Sequence, residues 1–266
     1  MRFWLNAHNE PLVNVSDDTK GDTLMKFLSI VFGSLLLAPA HASEAIEAHL
    51  PDARTIEISA HMSETEMAVR GAAVRVTRFG ERGHGSGSLV QYKGLQLVLT
   101  AQHVADAIIG TPYRITHDGE IREGILIYSN DAHDIAVLWV QLPWPRGHAL
   151  KWDPSDEVAP VGTKITYSGF PASHSLMSFR GRVAGYELMP DGSTNILLHT
   201  YGYFGCSGSV IYNVEKEIVG ILWGIDKGAI APIEDMIWVS PIQNLNLKLS
   251  LRGLCQTLRN EPRACR

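Results

Sequence analysis

Three short segments carry residue types able to run acyl-transfer chemistry. In Gly205-Cys206-Ser207-Gly208-Ser209-Val210 a serine has a glycine two residues before it and another immediately after, ahead of a strand-like run. A serine nucleophile needs a tight turn and backbone N–H groups aimed at the developing oxyanion, which bulky neighbours would obstruct. Gly205 and Ser207 would supply those two N–H groups. In Leu97-Val98-Leu99-Thr100-Ala101-Gln102-His103-Val104 an apolar strand ends in a histidine at its rim, where an imidazole can face a cleft and act as a base. In Asp131-Ala132-His133-Asp134-Ile135-Ala136-Val137-Leu138 an aspartate stands directly before an apolar strand. A carboxylate buried there requires a partner, and accepting from Nδ1–H of His103 would fix the tautomer that leaves Nε2 as the base. Singly, each segment also fits a plain role: a surface loop, one structural histidine among 11, and a turn aspartate, for which Asp131 is the better candidate.

The elements that must position these residues are short strands. From Ala72 the chain consists of runs rich in Val, Ile, Leu, Thr and Tyr, separated by Gly, Asp, Asn and Pro. Strands are expected at Ala72–Thr77, Gly85–Tyr92, Leu95–Gln102, Tyr113–His117, Glu120–Ser129 and Asp134–Val140. Turn residues such as Lys93-Gly94 and Asp118-Gly119 separate several of them. Leu142 to Pro160 holds Pro143, Pro145, Pro154 and Pro160, reads as an extended connection, and marks a boundary between lobes. Six further strands follow at Lys164–Phe170, Ser175–Met189, Thr194–Thr200, Ser207–Asn213, Glu217–Ile225 and Met236–Val239. Ser240-Pro241 reads as an N-cap and first helical residue, and Ile242, Leu245, Leu247 and Leu249 after it predict a short closing helix.

The chain as a whole limits the function classes. Of its 266 residues, 45% are hydrophobic and 19% charged, the balance of a folded globular protein. The formal charge is -5, and no basic run interleaves with aromatics, which argues against a nucleic-acid groove or a polybasic membrane patch. A peptide or another protein is the expected partner. Lys26, the apolar stretch Phe27 to Leu37 and the small residues Ala40 and Ala42 predict a secretory signal cleaved before Ser43, hence a secreted or periplasmic protein. The apolar stretch is shorter than the roughly 20 residues that span a bilayer, so no stable membrane insertion is expected after cleavage. Residues 1–24 are polar and sit oddly before such a signal, so Met25 is read as the true start. The domain plan is therefore 1–42 extension and signal, 43–71 a lead-in with a short helix near Ser43 to His49, 72–145 a first lobe, and 146–266 linker, second lobe and tail. The three cysteines, Cys206, Cys255 and Cys265, make neither a disulfide scaffold nor a zinc-ligand spacing. Cys255 and Cys265 could close a short loop, leaving Cys206 over.

Taken together, Thr100-Ala101-Gln102-His103, Asp134-Ile135-Ala136-Val137-Leu138 and Gly205-Cys206-Ser207-Gly208-Ser209 resemble the His, Asp and Ser blocks of chymotrypsin-like serine proteases in the same chain order. Their separations resemble the bacterial glutamyl-endopeptidase and trypsin-like peptidase branch. The likeness covers about Ala72 to Leu249. It implies an all-β chain of two six-stranded antiparallel barrels with the site in the cleft between them, His103 and Asp134 from the first and Ser207 from the second. It further implies a serine endopeptidase working through an acyl-enzyme, with no metal or organic cofactor. A protease-like peptide binder and an esterase using the same residues are the alternatives. By the same resemblance Tyr201 sits near the base of the substrate pocket, with Ile221, Leu222, Trp223 and Gly224 as its wall. No acid occupies the base, so small or apolar side chains are favoured there over Arg or Lys. Cys206 stands where digestive relatives carry an aspartate, and no Arg-Ile-Val-Gly-Gly activation site is present. The family spacing keeps Ser207, not Cys206, at the nucleophile position. His199 does not match the histidine of the glutamyl-specific branch, and Phe170-Pro171 resembles a structural turn.

Overall fold

The computed structural model describes residues 61–257, other than 146, 155, 173, 191 and 228–231. Short apolar strands, several of them buried along most of their length, fold the first half into a closed sheet. Its strands are β1 (Ala73–Arg78), β2 (Gly85–Tyr92), β3 (Leu95–Thr100), β4 (Pro112–His117), β5 (Glu120–Asn130) and β6 (Ile135–Val140), in the order β1-β4-β5-β6-β3-β2, closed by β1 against β2. A two-residue strand, β7 (Leu150–Lys151), adds in parallel to β2. The second half closes a second antiparallel barrel in the order β10-β13-β12-β11-β8-β9. These strands are β8 (Lys164–Gly169), β9 (Met177–Leu188), β10 (Thr194–His199), β11 (Val210–Asn213), β12 (Ile218–Lys227) and β13 (Pro232–Pro241). The expected pair of six-stranded antiparallel barrels is therefore present.

Three apolar clusters hold this arrangement. One fills the first barrel around Val74, Leu89, Val98 and Leu126, and one fills the second around Tyr167, Ile196, Ile211 and Ile237. The third joins the barrels, bringing Leu97, Leu99, Ile135 and Val137 against Val210, Tyr212 and Ile221. Within that seam the hydroxyls of Ser88 on β2 and Tyr212 on β11 are hydrogen-bonded at 2.8 Å, both buried. The proline-rich connection is extended and pinned by two indoles. Trp144 packs on the first barrel, and its backbone N–H donates to Gln96 (2.8 Å), while Trp152 packs into the seam beside Tyr92.

Two expectations are corrected. The lead-in ends in a helix, α1 (Glu64–Ala72), started by a capping box in which the N–H of Glu66 donates to the Ser63 hydroxyl and the N–H of Ser63 to the Glu66 carboxylate. Glu66 also pairs with Arg180, Glu64 with Lys216 (2.7 Å), and Val69 enters the seam cluster. The closing helix, α2 (Leu247–Thr257), does not start at Ser240-Pro241. Those residues end β13, where Ser240 pairs with Ile221 and Pro241 with Gly220, so strand pairing prevails over the local cap signal. The cap is Asn246, whose side chain accepts from the N–H of Leu249 (3.1 Å). The expected signal peptide and the short helix near Ser43 lie outside the described residues, among which no helix is long and apolar enough to cross a membrane. Cys255 is disulfide-bonded and Cys206 is free; Cys265 also lies outside the described residues.

The buried hydroxyl pair gives a test of the seam. Tyr212→Phe should cost about 1–3 kcal/mol of unfolding free energy by leaving the Ser88 hydroxyl buried and unsatisfied. Adding Ser88→Ala should recover part of that loss in denaturant titration, whereas simple additivity would mean the two hydroxyls are uncoupled.

Candidate active site

His103 lies on the short 3-10 turn Gln102–Val104 that follows β3, and Asp134 is the last residue of the turn before β6. Because β3 and β6 are neighbours, with Thr100 opposite Ala136, the two side chains meet. Asp134 accepts twice from the same residue: the backbone N–H of His103 donates to Oδ1 (2.8 Å) and Nδ1–H to Oδ2 (2.7 Å). A carboxylate is only an acceptor, so Nδ1 carries the proton and Nε2 is the ring's basic nitrogen. Both side chains are buried, at 8% and 5% exposure, which shields the pair from water. Asp134 adopts φ 51°, a left-handed conformation that aspartate tolerates better than most residues.

Ser207 sits in the turn before β11 rather than on the strand, and the peptide planes around it are fixed one by one. Ser86, at the start of β2, does most of this. Its hydroxyl donates to the carbonyl of Gly205 (2.7 Å), and its backbone N–H donates to the carbonyl of Ser207 (2.7 Å). The N–H at the other end of each of those peptides is also held, Cys206 N–H on the Tyr203 carbonyl (3.0 Å) and Gly208 N–H on the Leu222 carbonyl (2.7 Å). Between them, the carbonyl of Cys206 accepts from Ser209 N–H (2.9 Å), and one peptide earlier the carbonyl of Phe204 accepts from Ala172 N–H (2.5 Å). In a trans peptide the N–H points opposite to the C=O. The N–H groups of Ser207 and Gly205 are therefore turned away from Ser209 and Ala172 respectively.

Two glycines make this packing possible. Gly205 has φ 92°, and a Cβ there would collide with the Phe170 carbonyl; Gly208 has φ 87°, and a Cβ there would collide with Ser86 O and Thr100 Oγ1. The same Thr100 hydroxyl donates to the Ser86 carbonyl (2.7 Å), so the end of β3, which leads into His103, is tied to the strand that holds the Ser207 turn.

Sequence reading missed Ser86 and His84. The signal was in Gly85-Ser86-Gly87-Ser88, where small residues at a strand start mark a close backbone approach. Nε2–H of His84 donates to the Phe170 carbonyl (2.9 Å), and Phe170 N–H donates to the Ser86 hydroxyl (2.9 Å), so the Phe170-Pro171 turn braces the same junction. Burial holds the His84 imidazole below its ordinary pKa, against the opposing effect of its bond to Phe170. Cys206 is fully buried in the second barrel, and that burial pushes its thiol up to about 11, so it is neither ionised nor presented to a cleft.

Of the residues expected to form a substrate pocket, Tyr201 lies in the segment leading to Ser207, and Trp223 and Gly224 lie on β12. Trp223 is buried on β12, 5.9 Å from Trp238, and Gly224 pairs with Trp238 across β12 and β13. Tyr201 is partly exposed, stacks near Phe179, and lines a groove of about 540 Å³ with Glu66, Arg180, His199 and Asp235. Only its backbone carbonyl turns inward, accepting from the Tyr167 hydroxyl. His199 is exposed beside Asp235 at 3.7 Å. Among the described residues no cluster of three or more His, Cys, Asp or Glu side chains could hold a metal.

Comparison with known proteins places the chain in a class. The family model described as a trypsin-like peptidase domain matches residues 85–221, and the chain belongs to that family of serine-type endopeptidases. Solved structures share the fold. The active form of the Rv3671c protease from M. tuberculosis aligns at 14% identity and TM-score 0.56, covering 87% of this chain and 94% of that one. The HtrA-type protease AlgW with tripeptide aligns at 18% identity and TM-score 0.57, over 74% of this chain and 64% of that one. The serine endoprotease from Yersinia pestis aligns at 21% identity and TM-score 0.53, over 76% and 69%. No curated protein sequence matches the chain.

Two outcomes follow for the junction. Ser86→Ala should slow modification of Ser207 by a fluorophosphonate at least tenfold while the fold, read by circular dichroism, persists; an unchanged rate would show that the Ser86 hydroxyl does not set the turn. Cys206 in the native protein should resist iodoacetamide at mildly alkaline pH and react fully once unfolded, as peptide mapping can establish.

Proposed function

We propose that this serine protease hydrolyses peptide bonds with Ser207 as nucleophile, His103 as general base and Asp134 as the carboxylate that orients the histidine. The observation that carries the proposal is the double acceptance by Asp134 of both N–H groups of His103, because it fixes ring position and tautomer together. Nε2 takes the Ser207 proton as the hydroxyl oxygen attacks a peptide carbonyl. The carbonyl oxygen gains the negative charge and lies against the N–H groups of Gly205 and Ser207, whose directions are set by the bonds to Phe204 and Cys206 carbonyls. Collapse of that intermediate breaks the C–N bond as the imidazolium returns its proton to the leaving amine. Water, deprotonated by His103, then attacks the acyl-Ser207 ester and regenerates the hydroxyl.

The reaction as proposed needs no metal or organic cofactor, and its partner is a peptide or protein chain. The signal-like segment ending at Ala42 supports export, and the disulfide at Cys255 fits an oxidising compartment such as the periplasm or the cell exterior.

The test is labelling of the purified chain with a fluorophosphonate, followed by peptide mapping. The adduct should fall on Ser207 and vanish in Ser207→Ala. His103→Ala should lower kcat for a cleaved peptide by on the order of 10⁴ or more, and Asp134→Asn by on the order of 10⁴, with KM changed far less. Well-folded protein that takes no label would instead be a peptide-binding member of the family, and turnover of esters without turnover of peptides would make it an esterase.

A further inference from the structure

The Ser207 turn is held from the first barrel by Ser86 and from the second barrel by three segments, and the second-barrel side is the one proposed for the cleaved residue. One is the chain leading into it, from Thr200 to Cys206. Another is β12, which exchanges two hydrogen bonds with the turn, Gly208 N–H to Leu222 O (2.7 Å) and Leu222 N–H to Ser209 O (2.9 Å). The third is β13, which pairs with β12 through Gly224 opposite Trp238 and Ile225 opposite Ile237, and with the lead-in through Gly202 N–H on the Glu234 carbonyl (2.7 Å).

Around Gly202, the space between the lead-in and β13 is filled. Ile237 is fully buried, and its Cδ1 lies so close to Gly202 that a Cβ on that glycine would collide with it. Cγ2 of Ile225 is 3.4 Å from the same position. Both isoleucines belong to the second-barrel core together with Cys206 and Leu222, so neither can swing aside without opening that core. Gly202 is itself buried, and the carboxylate-bearing residues nearest it in chain order on β13, Glu234 and Asp235, are exposed at the surface.

We infer that Ile237, backed by Ile225 and seated on Gly202, closes the slot behind Ser207, so that the enzyme cleaves after residues with small side chains, alanine or glycine. This rests on the reading of Ser207 as nucleophile and names the substrate class of that same site. A phenylalanine or leucine side chain would have to displace a packed isoleucine, and a lysine, arginine or glutamate would enter an apolar plug with no compensating charge. Specificity of this kind comes from exclusion rather than from attraction.

The experiment uses two peptidyl diphenyl phosphonates that differ only in the residue mimicked at the reacting position, alanine or phenylalanine, each read as phenoxide release and as an adduct on Ser207. A plain alkyl fluorophosphonate without such a side chain runs beside them. The wild-type chain should react with the alanine probe on the order of 100-fold faster than with the phenylalanine probe. Ile237→Ala should raise the phenylalanine rate at least tenfold and leave the plain-probe rate near that of the wild type. Ile225→Ala provides the same readout if Ile237→Ala fails to fold. Equal rates for the two probes, or a preference that neither substitution moves, would overturn the inference while the plain probe still labels Ser207. Silence toward all three probes would instead overturn the nucleophile reading on which it rests.

Discussion

Everything at this site depends on one serine that does no chemistry, Ser86. From the start of β2 in one barrel it bonds the Ser207 turn of the other with its hydroxyl and its N–H, fixing the peptides on both sides of Cys206-Ser207. Its carbonyl takes the Thr100 hydroxyl at the end of β3, two residues before the turn that bears His103. The proposed nucleophile and base come from separate closed sheets, so their separation is set by whatever locks those sheets together. Here the lock is a set of short polar bonds within the junction, backed by an apolar seam of large side chains. Buried hydrogen bonds of this kind contribute modestly to net stability but are costly to leave unmade, which suits them to fixing geometry.

The His103–Asp134 pair and the N–H groups proposed as oxyanion donors follow from the same economy of construction. Asp134, in a turn conformation with positive φ, points its carboxylate at His103 in the turn that follows β3, and the β3–β6 pairing puts that turn in reach. Around Ser207, the carbonyls of Phe204 and Cys206 are tied down by Ala172 and Ser209, which turns the N–H groups of Gly205 and Ser207 the other way, so the orientation proposed for catalysis is a by-product of satisfying buried backbone groups. The α1 helix adds a brace, with Glu66 on Arg180 and Val69 in the seam, and so couples the segment just ahead of the first barrel to both sheets.

Much of this was legible in the sequence, and for identifiable reasons. The twelve barrel strands follow runs of β-branched and other apolar residues broken by turn residues, which are local signals, and His103, Asp134 and Ser207 stand in the turns that flank strands so defined. What was hidden was set by contacts distant in sequence. Ser240-Pro241 carries a good helix-start signal, but β12 claims both residues as the end of β13. Ser86 is an unremarkable serine until Gly205, 119 residues away, is brought against it. Gly202 and Ile237 are ordinary strand and loop residues whose meaning appears only when β13 folds beneath the lead-in to Ser207. Conversely, Ser63 and Glu66 formed a local capping signature that was open to reading and went unread.

The account stands or falls on whether Ser207 forms an ester during turnover. The most direct measurement is rapid mixing of the chain with a p-nitrophenyl ester, acid quenching within the first turnover, and intact-mass and peptide analysis of the trapped protein. One acyl group on the peptide containing Ser207, absent from Ser207→Ala and formed far more slowly in His103→Ala, is the predicted result. Ester turnover with no trapped acyl group at any quench time, or with the group on Cys206, would contradict it.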